Sequence, residues 1–197
     1  MTISNKLTIS RMLVIPIMII VLFIPVLRDT TTIFNLSLAE LLFGILFTLG
    51  SMTDWLDGYL ARKRNEITTL GKFLDPIADK LLVITAMVYI AIFRTEYISF
   101  WWILVLIVIF RELLVSAVRM LAANKQVVIA ASWFGKIKTI VTMPTLVLIL
   151  FNRFGLDSIL GSNGHYLTDI LFYISVLLTL LSGLDYLYQN RAVLKED

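Results

Sequence analysis

Uncharged apolar stretches recur along the whole chain, among them Met12 to Val26, Leu41 to Thr53 and Ile170 to Leu184. A helix built from such a stretch satisfies its own backbone hydrogen bonds and can therefore live in hydrocarbon, where water offers no partners. The hydrophobic share of the 197 residues, 59%, exceeds that of ordinary soluble domains, and charged residues supply only 16%. The expected solvent is the bilayer. Segments between the apolar stretches are shorter than about 20 residues, too short for an independent core, so residues 1–197 read as one membrane domain.

Six spans account for the stretches: roughly Leu7 to Leu27, Ser37 to Leu60, Pro76 to Phe93, Ser99 to Ala122, Trp133 to Phe151 and Leu167 to Tyr188. The predicted fold is all-α and polytopic, with both termini on one side of the membrane. Of the 17 Lys and Arg residues, only Arg28, Arg94 and Arg153 fall on the opposite side. The positive-inside bias then makes the termini cytosolic and places the protein in the cell membrane. The same bias accounts for the net charge of +3 without a nucleic-acid partner. Tyr97, Trp101 and Trp102 are expected at the outer headgroup level. No small-residue cleavage site follows Met12 to Val26, which reads as a retained helix. Cysteine is absent, which removes disulfides, thiolate ligands and thiol nucleophiles.

Most spans have uncharged cores of only about 13 to 15 residues, short of the roughly 20 that cross hydrocarbon. Polar residues complete them, all at the cytosolic end. Asp54 and Asp57 close the second span, and Asp75, Asp79 and Lys80 open the third. Arg111, Glu112 and Arg119 close the fourth, and Lys136 and Lys138 open the fifth. Ionisable side chains facing lipid cost several kcal/mol, so these are expected to turn inward around a polar cavity open to the cytosol.

Between Asp54 and Asp79 the chain reads D-x2-D-G-x2-A-R-x8-G-x3-D-x3-D. Asp54 and Asp57 are three apart and Asp75 and Asp79 four apart, so each pair occupies one helix face. A loop of about ten residues makes the two helices antiparallel neighbours and gathers four carboxylates at one end of a hairpin. Such like charges repel, and either protonation or cations must relieve them. Oxygen-only ligands suit hard ions such as Mg2+ or Mn2+. The plainer reading, caps and ion-pair partners for Lys63, Arg64, Lys72 and Lys80, fits any single Asp better than it fits four at helical spacing. Gly58 and Gly71 frame the acids and would let backbone approach a nucleotide closely, although Gly71 also suits a simple turn. Pro76 is tolerated in a first helical turn, so the third span is expected to begin shortly before it, with the positive end of its dipole near bound phosphate.

This pattern resembles the signature of the CDP-alcohol phosphotransferases, with every fixed position present: Asp54, Asp57, Gly58, Ala61, Arg62, Gly71, Asp75 and Asp79. Length and six-span layout extend the likeness over nearly the whole chain. The resemblance implies a membrane enzyme in which Asp54, Asp57 and Asp75 bind two divalent cations, Mg2+ or Mn2+. Asp79 would contribute to that metal site and act as general base. The resemblance further implies that Gly58, Ala61, Arg62 and Gly71, with Asn5 and Thr8 of the first helix, hold the nucleotide of CDP-diacylglycerol. CMP would be the leaving group, and the protein would be a homodimer. The diacylglycerol tails would enter laterally between helices.

FLDPIADKL, the RELLVSAVR stretch and GKIKT look like the bacterial branch of the family that makes phosphatidylglycerophosphate. Glycerol 3-phosphate is then the expected acceptor, with Arg111, Arg119, Lys136 and Lys138 as its phosphate pocket. Arg111 and Arg119 are eight residues apart, about 80 degrees around a helix, so both can face one pocket. Arg111 could instead pair with Glu112, and Lys136 and Lys138 could snorkel to anionic headgroups. An inositol phosphate acceptor would call for similar cations, and serine stays open as well. A cation transporter would also use four carboxylates, but it needs polar groups through the outer half, where spans two to five offer few. His165, the only histidine, falls in the expected outer loop, away from the acids. Glu40 and Asp185 are single acids near span ends with no assigned role.

Overall fold

The computed structural model describes residues 3–64, 69–94, 100–125, 133–155 and 164–191, with side chains over 8–53, 74, 77–94, 100–122, 125, 133–155 and 166–191. Among these residues the regular structure is helical apart from one bridge between Thr31 and Ser37. The helices are α1 (Ile3–Val21), α2 (Pro25–Asp29), α3 (Leu38–Arg64), α4 (Thr69–Phe93), α5 (Trp101–Asn124), α6 (Trp133–Leu150) and α7 (Gly164–Gln189). Three of them contain stretches long and apolar enough to cross a membrane: Trp101–Ala122, Trp133–Leu150 and Tyr166–Gln189. Thr8–Val21 and Leu38–Thr53 are shorter apolar helical stretches. Large apolar side chains such as Phe23, Phe110, Ile140 and Leu184 point outward, as lipid-facing residues do.

Three boundaries differ from the sequence expectation. The first apolar span does not run to Leu27 as one helix. Pro25 forces Ile24 out of the helical region, to φ −81 and ψ 112, so α1 stops at Val21 and α2 starts afresh. The second and third spans reach closer together than expected, since α3 continues to Arg64 and α4 begins at Thr69. Pro76 therefore lies well inside α4 rather than in its first turn, and the expected loop of about ten residues shrinks to residues 65–68, which lie outside the described residues.

α3 and α4 are pinned at one end by Glu40. Ser37 and Glu40 form a reciprocal capping box: Glu40 N–H donates to Ser37 Oγ at 3.2 Å, and Ser37 N–H donates to Glu40 Oε2 at 2.8 Å. The other oxygen, Oε1, accepts from Tyr89 Oη at 3.0 Å and lies 3.4 Å from the Arg94 guanidinium. One acid, given no role by the sequence reading, thus caps α3 and ties it to the last turn of α4. Two 3-10 turns, Ile33–Asn35 and Asn152–Gly155, meet at this far end, where Asn152 Nδ2 donates to the Phe34 carbonyl at 2.8 Å.

Below that layer the core is apolar. Met18, Phe43, Phe47, Leu82, Met87, Leu146 and Phe172 are buried together, drawn from α1, α3, α4, α6 and α7. Trp101 belongs to this core. It was expected in the outer aromatic belt, but it is only 1% exposed and stacks on Phe172 with ring centroids 4.4 Å apart. Trp102, its neighbour, is the exposed one, because successive residues on a helix point about 100 degrees apart.

Gly50 sets how closely α3 and α4 approach. A Cβ there would sit 3.1 Å from Leu82 Cδ2, so with a larger residue either Leu82 or the helix spacing must give way. Gly50→Leu is expected to lower the unfolding midpoint in detergent by the equivalent of about 1 to 3 kcal/mol, and adding Leu82→Ala to recover part of the loss. An unchanged midpoint in the single variant would contradict this helix pairing.

Candidate active site

The pairing of α3 with α4 carries a register that can be read along its length. Gly50 meets Leu82, and Phe43 stacks on Tyr89 with centroids 4.4 Å apart. Seven residues back along α3 match seven forward along α4, which is an antiparallel pairing at constant offset. Continued toward the tip, the same offset would bring Asp57 level with Asp75, and Asp54 to within one residue of Asp79. The helix ends agree, since Asp54 lies ten residues before Arg64 and Asp79 ten residues after Thr69. All four aspartate backbones belong to these two helices. The side chains of Asp54, Asp57 and Asp75 lie outside the described residues.

Asp79 is half-buried and lines a cavity of about 50 Å3 together with Lys80, Glu112, Lys138, Thr139 and Thr142. Glu112 organises its charges. Its Oε1 accepts from Lys138 Nζ at 2.5 Å and from Arg111 Nη1 at 2.8 Å, while its backbone carbonyl accepts from Lys80 Nζ at 3.3 Å. Arg111 also donates from Nη2 to Ser182 Oγ at 2.6 Å, which ties α5 to α7. That reach requires Gly183, where a Cβ would lie 2.8 Å from both Cγ and Nε of Arg111. The cations are gathered inward, as expected for charges at membrane depth. Glu112 thus gathers Arg111, Lys138 and Lys80, the two lysines sharing the cavity wall with Asp79.

The sequence-selected basic residues thus divide. Arg111 and Lys138 come together, and both do so through Glu112, with Arg111 taking the ion pair that the sequence left open. Neighbouring residues on a helix do not face one another, so only the length of the arginine makes this pair possible. Arg119 also lies against α7, its guanidinium 5.5 Å from the centre of the Tyr186 ring, but it is exposed and does not line the cavity. Lys136 is exposed and lies 5.9 Å above the Trp133 ring. Thr8 is fully buried on α1, which packs against α3 and α4. The side chains of Asn5, Gly58, Ala61, Arg62 and Gly71 lie outside the described residues. Sequence reasoning passed over Thr142, which lines the cavity. Its position four residues after Lys138, on the same face of α6, was the available signal.

Between this charged end and the Glu40, Tyr89 and Arg94 layer at the far end lies the apolar core described above.

Comparison with known proteins agrees with the signature. Residues 1–181 match the sequence family described as CDP-alcohol phosphatidyltransferase. A Bacillus subtilis (strain 168) protein is 35% identical over 193 residues, covering 97% of this chain and 96% of its own. One from Shigella flexneri serotype 5b is 36% identical over 194 residues, covering 96% and 95% respectively, and one from Salmonella choleraesuis is 34% identical over 193 residues. All three are named CDP-diacylglycerol–glycerol-3-phosphate 3-phosphatidyltransferase.

The three-way contact at Glu112 makes a measurable coupling. Glu112→Gln is expected to destabilise the protein in detergent by about 3 kcal/mol, because it leaves part-buried cations short of their counter-charge. The double variant Glu112→Gln/Lys138→Met should lose about 1 kcal/mol or more less than the sum of the single losses. Strictly additive losses would mean that the two side chains do not interact.

Proposed function

This chain belongs to the CDP-alcohol phosphatidyltransferase family, and on that premise we propose that it transfers the phosphatidyl group of CDP-diacylglycerol to glycerol 3-phosphate, releasing phosphatidylglycerophosphate and CMP. The observation that carries the reading is the full family signature, carried on two antiparallel helices, in a chain about 35% identical to three proteins named for this reaction.

In this reading Asp54, Asp57, Asp75 and Asp79 hold two divalent cations, Mg2+ or Mn2+. When bound, such ions offset charge on the reacting phosphoryl group and on departing CMP. Asp79 takes the proton from the acceptor hydroxyl, which attacks the phosphorus nearer the lipid as the bond to CMP breaks. Gly58, Ala61, Arg62 and Gly71 on the α3/α4 tip, with Asn5 and Thr8 on α1, bind the nucleotide. Arg111, Arg119, Lys136 and Lys138 attract the acceptor phosphate, and the gathering of Arg111 and Lys138 at Glu112 supports an anionic acceptor over a neutral one.

We further read α1, α3 and α4 as crossing the bilayer beside the three longer apolar helices, giving six spans. The apolar stretches of α1 and α3 and the cations collected at one end of the bundle support this layout, with that end and both termini cytosolic.

Purified protein in mixed micelles should release CMP only when CDP-diacylglycerol, glycerol 3-phosphate and Mg2+ or Mn2+ are all present. Chelation by EDTA should stop the release and added Mg2+ restore it. Asp79→Asn should reduce kcat by about 100-fold to 10,000-fold while leaving the unfolding midpoint near that of the wild type. A fully active Asp79→Asn enzyme would refute the assignment of the base. Efficient CMP release with serine or inositol, and none with glycerol 3-phosphate, would refute the acceptor.

A further inference from the structure

Thr142 differs from five other threonines of the helices. Thr48, Thr85, Thr139, Thr145 and Thr179 each donate their hydroxyl to the carbonyl one turn back, at 2.7 to 3.1 Å. Thr142 has the same carbonyl within reach of its helix position, yet its Oγ1 has no hydrogen-bond partner in the protein, and the residue is only 5% exposed. A buried hydroxyl left in this state is unfavourable, and a bound polar group would relieve it. The cavity that Thr142 lines is the one shared by Asp79, Glu112 and Lys138.

Glu112 has spare capacity facing the same space. Its Oε1 accepts both Lys138 and Arg111, and its Oε2 accepts nothing from the described residues. A carboxylate carries about four acceptor sites, so half of this one is uncommitted. The wall therefore presents a strong acceptor on Glu112, a hydroxyl on Thr142 and an ammonium on Lys138. Deeper in, Met87, Val108 and Met143 close the cavity with apolar surface, which suits a small uncharged group and not a phosphate.

The complement of that wall is an alcohol whose hydroxyl donates to Glu112 and accepts from Thr142 or Lys138. We propose that Glu112 and Thr142 form a specificity subsite for a second hydroxyl of the acceptor, adjacent to the one that reacts. The inference rests on the phosphorylated-alcohol acceptor proposed above and sharpens it to a vicinal diol. The reacting hydroxyl lies at Asp79, its neighbour on Glu112 and Thr142, and the phosphate stays at the cationic mouth. Thr142 acts here in recognition and not in bond making.

The test compares two acceptors of one length. Glycerol 3-phosphate carries the middle hydroxyl, and 3-hydroxypropyl phosphate keeps the reacting hydroxyl and the phosphate but lacks it. CMP release by the full-length protein in CDP-diacylglycerol micelles gives kcat/KM for each. Wild type should prefer glycerol 3-phosphate by about tenfold or more, as for loss of a hydrogen bond to a charged group. Thr142→Val, which keeps the side-chain shape, should cut that preference by about fivefold, and Thr142→Ser should restore it. Equal use of both acceptors by wild type overturns the proposal whatever the variants do. So does a Thr142→Val enzyme slowed equally with both, since that is the mark of a packing role. Activity with neither phosphorylated alcohol, alongside robust release with serine or inositol, removes the acceptor reading and the subsite with it.

Discussion

The close approach of α3 and α4 at Gly50 is the constraint on which the rest of the molecule hangs. Without a side chain at that position Leu82 can pack against the backbone of α3, and the stack of Phe43 on Tyr89 one face further along keeps the same antiparallel offset. The Glu40 contacts to Tyr89 and Arg94 lock the far end of the pair. The end of the pair away from Glu40 carries the signature aspartates. A site made from two helices in fixed register is held more accurately than one made from loops.

Charge placement follows from the solvent. A carboxylate or ammonium at membrane depth is tolerable only when it faces other polar groups, so the charged residues of α4, α5 and α6 converge. Glu112 is where they meet. It holds Lys138 and Arg111 through one oxygen and Lys80 through its carbonyl, and Lys80 and Lys138 line the same cavity as Asp79. This arrangement gives the proposed acceptor site its sign. It also joins α5, α6 and α7 to the α3/α4 hairpin, so the geometry of substrate binding and the packing of the bundle depend on the same contacts.

Much of this was legible in the sequence, and the reasons it was legible are physical. Apolar runs and helical spacing gave the helices from α3 onward to within a few residues, except for the start of α4, because hydrocarbon enforces helix over each run. The signature spacing identified the aspartates, since residues three or four apart share a face in any helix. What the sequence hid were contacts between elements remote in the chain. Glu112 was visible as a partner for Arg111, but its bond to Lys138 depends on how α5 meets α6. Trp101 read as an interfacial aromatic, because composition cannot tell which of two adjacent tryptophans turns inward. Pro76 read as a helix start, yet α4 begins at Thr69. Glu40 looked like an isolated acid, although Ser37 three residues before it completes a capping box that local sequence could have revealed.

The account stands or falls on whether the aspartates of the two helices share one space. Anomalous diffraction from crystals grown with Mn2+ tests that directly. The expected result is two peaks between α3 and α4, each within about 2.3 Å of carboxylate oxygens drawn from Asp54, Asp57, Asp75 and Asp79. Side chains of these four residues turned to separate surfaces, with no anomalous peak between the helices, would contradict it.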